Sequence, residues 1–185
     1  MTPVQVAPIW VLVSSDKLEL DTTFVSGVWM RISEMQDREC QDTLRRLAFG
    51  RLACARENQP YIVPIYFAYE PDRLYGFATL GQKIEWMRTN PRVCVQADEL
   101  LSNDNWISVI VLGRYEELPD TPAYASERGK ARSLLEKRSA WWQTSYVASS
   151  VRGPSEAPSP VFYCVHIEKI SGLRASPEGS PVRVR

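Results

Sequence analysis

The sequence predicts a mainly β fold: an antiparallel barrel of six strands with peripheral helices. Three observations carry this. Between Arg51 and Thr79, three strand-like runs recur about every ten residues, the spacing of a meander, and the middle one, Tyr61–Tyr69, is β-branched and aromatic. Ahead of them, the apolar period is helical, and it then drops to about two. Parallel β-α-β alternation is absent, as are an internal repeat and the G-x-G-x-x-G and G-x-x-x-x-G-K-[ST] nucleotide signatures.

Taken in order, Gln36 to Leu47 reads as a helix, with Cys40, Leu44 and Leu47 at helical spacing. Glu39 near its start and Arg45 and Arg46 near its end complement the helix dipole, and Gly50 is its expected stop. Arg51–Arg56 is the first strand and Glu57–Pro60 a turn. Tyr61–Tyr69 is the second strand. Pro64 inside it requires an edge, a bulge or a place where no donor is needed. A turn over Glu70–Arg73 leads to the third strand, Leu74–Thr79. A short helix over Gly81–Arg88 stops at Thr89-Asn90-Pro91, because the residue before proline disfavours helix. Arg92–Ala97 is the fourth strand and Trp106–Leu118 the fifth, with Gly113 a candidate bulge. Asp120-Thr121-Pro122 starts a helix with proline in its first turn, and Tyr124, Ala131, Leu134, Leu135 and Trp142 line one side of it. A Pro/Ser linker over Gly153–Pro160 precedes the sixth strand, Val161–Ile170. From Arg174 the chain is polar and expected to be disordered.

The chain of 185 residues suits one domain. Its composition, 44% hydrophobic and 24% charged, excludes a wholly disordered or collagen-like protein. No stretch approaches the roughly 20 apolar residues of a membrane helix. The 22 basic residues balance the 22 acidic ones, so neither nucleic acid nor a membrane surface is an expected partner, and self-association is compatible with so small a net charge. Cys40, Cys54, Cys94 and Cys164 are widely spaced and three lie in apolar runs, which points to reduced, buried thiols and to the cytoplasm. With one histidine, His166, and no C-x-x-C pair, no metal site is expected. The apolar run Pro3–Val13 has no basic residue ahead of it and no small-x-small cleavage site after it, unlike a signal peptide. Residues 1–29 are read as an appended segment, an extra strand or an arm. Residues 30–174 form the domain, and 175–185 a polar tail.

A catalytic triad is not expected, since His166 lies in a strand and no G-x-S-x-G elbow exists. The segment most suggestive of chemistry is Leu74–Arg92, LYGFATLGQKIEWMRTNPR. A strand ends in Ala78 and Thr79, a glycine turn follows, and Lys83 lies in the first turn of a helix. Helix-start amides, a hydroxyl and an ammonium together suit a phosphate group. An exposed helix charge is the plainer account of Lys83, and the segment alone leaves both open.

The order GRLAC, QPYIVPIYFAY, LYGFATLGQKIEWMRTNPRVCVQAD and WISVIVLGRYEEL resembles the pyridoxamine 5′-phosphate oxidase-like flavoproteins. It is closest to their branch containing the nitroimidazole-resistance reductases. The resemblance spans about Met30 to Arg174 and is most specific in x-V-P-I-Y-F, A-T-x-x-x-K-I-x-x-M-x-x-N-P-R-V and W-x-S-V-x-V-x-G-R. It implies a split β-barrel that forms a homodimer holding FMN at the interface. It further implies that Lys83 and Thr79 hold the FMN phosphate, with Gln82 nearby. Val63, Pro64, Ile65 and Tyr66 would lie along the isoalloxazine and ribityl chain. Phe77 and Ala78 would offer backbone groups, and Trp106 and Ser108 would approach from the partner subunit. A flat apolar wall, a few amides and a cationic pocket are what a flavin needs.

The implied function is an oxidoreductase moving electrons from a reduced nicotinamide or similar donor to a small acceptor, with its substrate unspecified. True pyridoxamine-phosphate oxidases carry R-x-V-L-L-K where this chain reads VPIYF, and their C-terminal basic substrate residues have no counterpart, which argues against vitamin B6 oxidation. The histidine of some nitroimidazole reductases is also missing from the matching region. Alternatives are a non-catalytic flavin sensor, a deazaflavin protein, a haem protein using His166 or a cysteine as axial ligand, and a purely structural barrel. Of the adjacent Trp141 and Trp142, one is expected to pack on the barrel and the other to lie at an interface or over the partner's flavin. Arg128, Lys130, Arg132, Lys137 and Arg138 read as a solvated helix face or an anionic-substrate patch.

Overall fold

A computed structural model describes residues 30–138 and 160–177. The expectations for residues 1–29, for Trp141 and Trp142, for the linker over 153–159 and for residues 178–185 lie outside the described residues.

Eight strands form one antiparallel sheet. They are β1 (Met30–Glu34), β2 (Phe49–Arg56), β3 (Gln59–Tyr66), β4 (Ala68–Glu70), β5 (Arg73–Ala78), β6 (Arg92–Ser102), β7 (Asn105–Leu118) and β8 (Val161–Pro177). Among the described residues, three helices, α1 (Asp37–Arg46), α2 (Gln82–Thr89) and α3 (Ala125–Glu136), accompany them, with a 3₁₀ turn over Pro122–Tyr124. The hydrogen-bonded path runs β3-β2-β6-β7-β8-β5-β4, and β1 pairs with β8. The two ends of this path, β3 and β4, are consecutive in the chain and separated only by Phe67, so the sheet curls until its edges meet. There β3 approaches β5 without pairing with it. The chain is thus mainly β, a split antiparallel barrel, as expected.

The strand count rises from six to eight for two local reasons. Phe67 breaks the expected strand Tyr61–Tyr69 into β3 and β4: its N–H turns aside to donate to the Ala48 carbonyl at 2.9 Å. Residues 30–34 form β1 against the far end of β8, Met30 opposite Pro177 and Glu34 opposite Leu173. That pairing also corrects the tail. β8 continues through Arg174 and the fully buried Ala175 to Pro177, because β1 and β7 flank it on both sides.

The β2–β3 connection is tighter than the expected four-residue turn. Glu57 and Asn58 carry it alone, both at positive φ (52° and 64°), the conformation of a two-residue hairpin turn. Pro64 sits on β3, which has β2 as its one sheet neighbour, so the edge placement is the alternative that holds. Gly50 does not stop α1. The helix ends earlier, with the Leu47 N–H bonding the Thr43 carbonyl, and Gly50 lies within β2. Gly113 does mark a bulge: the β7–β8 register shifts between Leu112 and Gly113. A Cβ there would sit 2.2 Å from the His166 carbonyl oxygen, so only glycine fits.

Alternation sorts side chains to two faces. The inner face packs Leu52, Val95, Val109, Val111, Tyr163 and Val165. Cys40 and Leu44 of α1 and Ile84, Trp86 and Met87 of α2 cover this core from its two ends. Burying Leu44 alone is worth about 2 kcal/mol. The outer face is divided. Where β5 and β8 run beside the last part of β7, α3 covers it through Ala131 and Leu135 on Tyr75, Leu118 and Phe162. Along β3, β2, β6 and the first part of β7, no described helix covers it, and Ile62, Phe49 and Leu112 stand 60%, 45% and 44% exposed.

Candidate functional site

The corner between β5 and α2 forms as the motif predicts. β5 ends at Ala78, paired with Val161 of β8. Thr79 and Leu80 leave the sheet exposed, and Gly81 starts the helix in extended conformation with no side chain capping it. The first amides of α2 are therefore open to an acceptor. Ile84 and Met87, three apart, bury one face and lock the helix onto the barrel. Its far end is tied down as well: Asn90 Nδ2 donates to the Ala55 carbonyl at 2.9 Å, and Arg88 forms a bidentate pair with Glu117 of β7 at 2.7 Å.

Lys83 is half-buried in this corner. Burial holds its pKa below the ordinary lysine value, and the one charge acting the other way is the nearby Cys54 thiol. Burial in turn raises the Cys54 thiol, with Lys83 opposing. Among the described residues no carboxylate forms an ion pair with the Lys83 ammonium, whereas Arg46, Arg51, Arg73, Arg88 and Lys130 each have one. A cation desolvated without a partner is costly, and an anionic ligand would relieve that cost. Arg56, which the sequence did not single out, lies 5.3 Å over the Trp86 ring, one helical turn after Lys83. Tyr61 packs on the same ring at 5.4 Å. The sequence signal for Arg56 is only its place at the end of β2, across the hairpin from Gln59.

The other expected residues divide into groups. Thr79, Gln82 and Lys83 lie on the turn out of β5 and the first turn of α2, the first two exposed and Lys83 half-buried. Val63, Pro64, Ile65 and Tyr66 are all on the edge strand β3, but their side chains alternate. Ile65 is buried and Val63 packs on the core, whereas Pro64 is exposed and Tyr66 meets Phe49 edge-on at 5.1 Å. One wall can therefore use only two of the four side chains, together with the strand's backbone. Ala78 is buried, and the Phe77 ring turns to the α3 side, 5.9 Å from Phe162. Trp106 and Ser108 are not brought to this corner within the chain. They lie at the opposite end of β7, on the open outer face, where Gln96 Nε2 donates to Ser108 Oγ at 3.2 Å. His166, the suggested haem ligand, lies on the α3 side with its Nε2 2.6 Å from Glu116 Oε2. The α3 cations are largely engaged: Arg128 donates to the Leu118 carbonyl and stacks on Phe162, Lys130 pairs with Glu70 at 3.2 Å, and Arg138 donates to the Leu47 carbonyl.

A split antiparallel barrel with an uncapped, cation-bearing corner defines a class of ligand-binding β proteins, and the comparisons name the family. Residues 36–174 match the family model described as pyridoxamine 5′-phosphate oxidase. An uncharacterized protein of Rhizobium meliloti is 44% identical over 146 residues, covering 79% of this chain and 97% of that one. The crystal structure of a protein described as FAD-binding, from Mesorhizobium loti, is 44% identical with a TM-score of 0.65, covering 80% of this chain and 99% of that one. A Mycobacterium smegmatis structure described as an FAD binding protein shares the fold at 20% identity and TM-score 0.54, covering 78% and 97%. The chain belongs to the pyridoxamine 5′-phosphate oxidase family. Among the described residues, no helix is long and apolar enough to cross a membrane.

Proposed function

We propose that this protein is a flavin-binding redox protein that works as a homodimer, with FMN held at the subunit interface. The observation that carries this is the half-buried Lys83 ammonium, without a carboxylate partner among the described residues, at the uncapped start of α2. Lys83 pairs with the flavin phosphate. The Thr79 hydroxyl and the first amides of α2 donate hydrogen bonds to it, and Gln82 closes the rim. The β3 edge offers backbone groups to the ring system, and Pro64 leaves one position there without a donor. Bound flavin supplies the electron transfer itself, from a reduced nicotinamide or similar donor to a small acceptor. The open outer face, with Ile62, Phe49 and Leu112 exposed, supports the dimer, and it would carry Trp106 and Ser108 to the partner's flavin.

FAD is a second reading, favoured by the description of the M. loti relative. It shares the ring, the ribityl chain and the first phosphate, and it extends past Lys83 toward solvent. Absorbance of the purified protein, followed by mass spectrometry of the released ligand, tests the proposal and separates the two flavins. Flavin bands are expected. Colourless protein that binds neither added FMN nor FAD refutes the assignment. Bound flavin with no turnover against nicotinamide donors and an acceptor panel would mark a sensor rather than an enzyme.

A further inference from the structure

We propose that Glu116, Cys164 and His166 form a binding site for one zinc-class divalent cation, apart from the flavin corner. β7 and β8 are antiparallel neighbours, and their register sets Glu116 directly opposite Cys164. His166 lies two residues further along β8, on the same face. The sequence hides this convergence, because the ligands come from two strands with no motif spacing between them. The expectation of no metal site rests on the absence of such a motif, and the proposal departs from it.

The donor atoms are already gathered. Cys164 Sγ is 3.5 Å from His166 Nε2 and 3.7 Å from Glu116 Oε2, and all three ligand atoms lie within 4.8 Å of one another. With Zn–S near 2.3 Å and Zn–N or Zn–O about 2.0–2.1 Å, tetrahedral ligand atoms stand roughly 3.3–3.6 Å apart. The sulfur–nitrogen distance falls within that spacing, and the sulfur–oxygen distance exceeds it by about 0.1 Å. The third, 2.6 Å between His166 Nε2 and Glu116 Oε2, is a hydrogen bond that has to open by about 0.7 Å to reach it. Both side chains are 39% exposed, so a small rotation of either suffices.

A thiol, an imidazole and a carboxylate are a borderline-soft set, suited to zinc and unsuited to the all-oxygen shells of magnesium and calcium. In the metal-free protein Cys164 is a thiol and His166 Nε2 carries the proton it donates to Glu116, so binding releases the thiol proton to solvent as the Zn–S bond forms and leaves the imidazole proton on Nδ1 as the Zn–N bond forms. Thiolate and carboxylate then neutralise the dication. Tyr124 OH donates to the second carboxylate oxygen, Glu116 Oε1, at 3.4 Å and orients it from outside the shell. Arg73 of β5, directly opposite His166, is paired with Glu127 at 3.2 Å. Three protein ligands leave the fourth position on the exposed side for water.

The test uses the full chain, stripped with a chelator and titrated with zinc in competition against a chromophoric chelator. X-ray absorption at the zinc edge then reads the ligand atoms. One zinc per chain with a single sulfur neighbour is expected. Cys164→Ser should remove that sulfur, and Cys164→Ser, His166→Asn and Glu116→Gln should each weaken binding at least tenfold. Circular dichroism checks that the variants fold. The half-exposed positions, His166 and Glu116, keep the test decisive should the buried Cys164→Ser fail to fold. Absence of stoichiometric zinc, zinc without a sulfur neighbour, or wild-type affinity in the folded variants overturns the proposal. The flavin content of each sample is independent of the outcome.

Discussion

Replacing Lys83 with methionine separates a ligand-binding lysine from a structural one. Methionine keeps the unbranched stem that packs in the corner and removes only the charge. A charge-assisted hydrogen bond to a phosphate is worth about 1.5–3 kcal/mol, so flavin affinity should fall roughly 10- to 150-fold. The flavin-free protein should respond in the opposite sense. Burial lowers the Lys83 pKa, so the unfolded chain holds this proton at pH values where the folded chain has begun to release it. The charge therefore opposes folding at neutral pH, and the opposition fades as pH rises through the folded pKa toward the ordinary lysine value of about 10.4. Lys83→Met should melt no lower than wild type at pH 7. Wild-type stability should gain on the variant as the pH is raised into the alkaline range. Flavin fluorescence quenching gives the affinity, and circular dichroism melts of the flavin-free protein give the stability. Undiminished flavin affinity would refute the phosphate role. A lower melting temperature at pH 7 would show that the ammonium has a partner inside the fold.

Leu112→Glu places a carboxylate in the middle of the open outer face, and sedimentation should find monomers that retain less flavin; an intact dimer would move the interface elsewhere. Gly113→Ala forces a Cβ to within 2.2 Å of the His166 carbonyl oxygen. Overpacking a site walled by backbone should cost about 3 kcal/mol, read as a lower urea midpoint with unchanged slope. The Tyr163 hydroxyl is buried with no hydrogen-bond partner among the described residues. Tyr163→Phe should therefore leave the flavin-free protein as stable as wild type or about 1 kcal/mol more stable, and a loss in calorimetry would reveal a hidden partner.

The strand–turn–helix corner proposed for the flavin was legible in the sequence because it is local. Thr79, Gly81 and Lys83 are close neighbours in the chain, and strand end, turn and helix start are all written in short-range propensity. The meander was legible for the same reason, since β-branched alternation and turn residues act over a few positions. Phe67 hid the break between β3 and β4, because an aromatic residue continues a strand pattern while its N–H here turns to Ala48. The length of β8 was hidden too: polar residues past Arg174 are held only by β1 and β7 on either side.

The sequence by itself determined the mainly β class, the bulge at Gly113 and the strand–turn–helix order that sets Thr79 and Lys83 at the turn into α2. Tertiary structure alone decided which side chains share a face. It split Val63 and Ile65 from Pro64 and Tyr66, kept Trp106 and Ser108 away from Lys83, and brought Glu116, Cys164 and His166 together. Propensity is a property of neighbours along the chain, whereas a site built across strands depends on register. Register is set only when the whole sheet closes over its core.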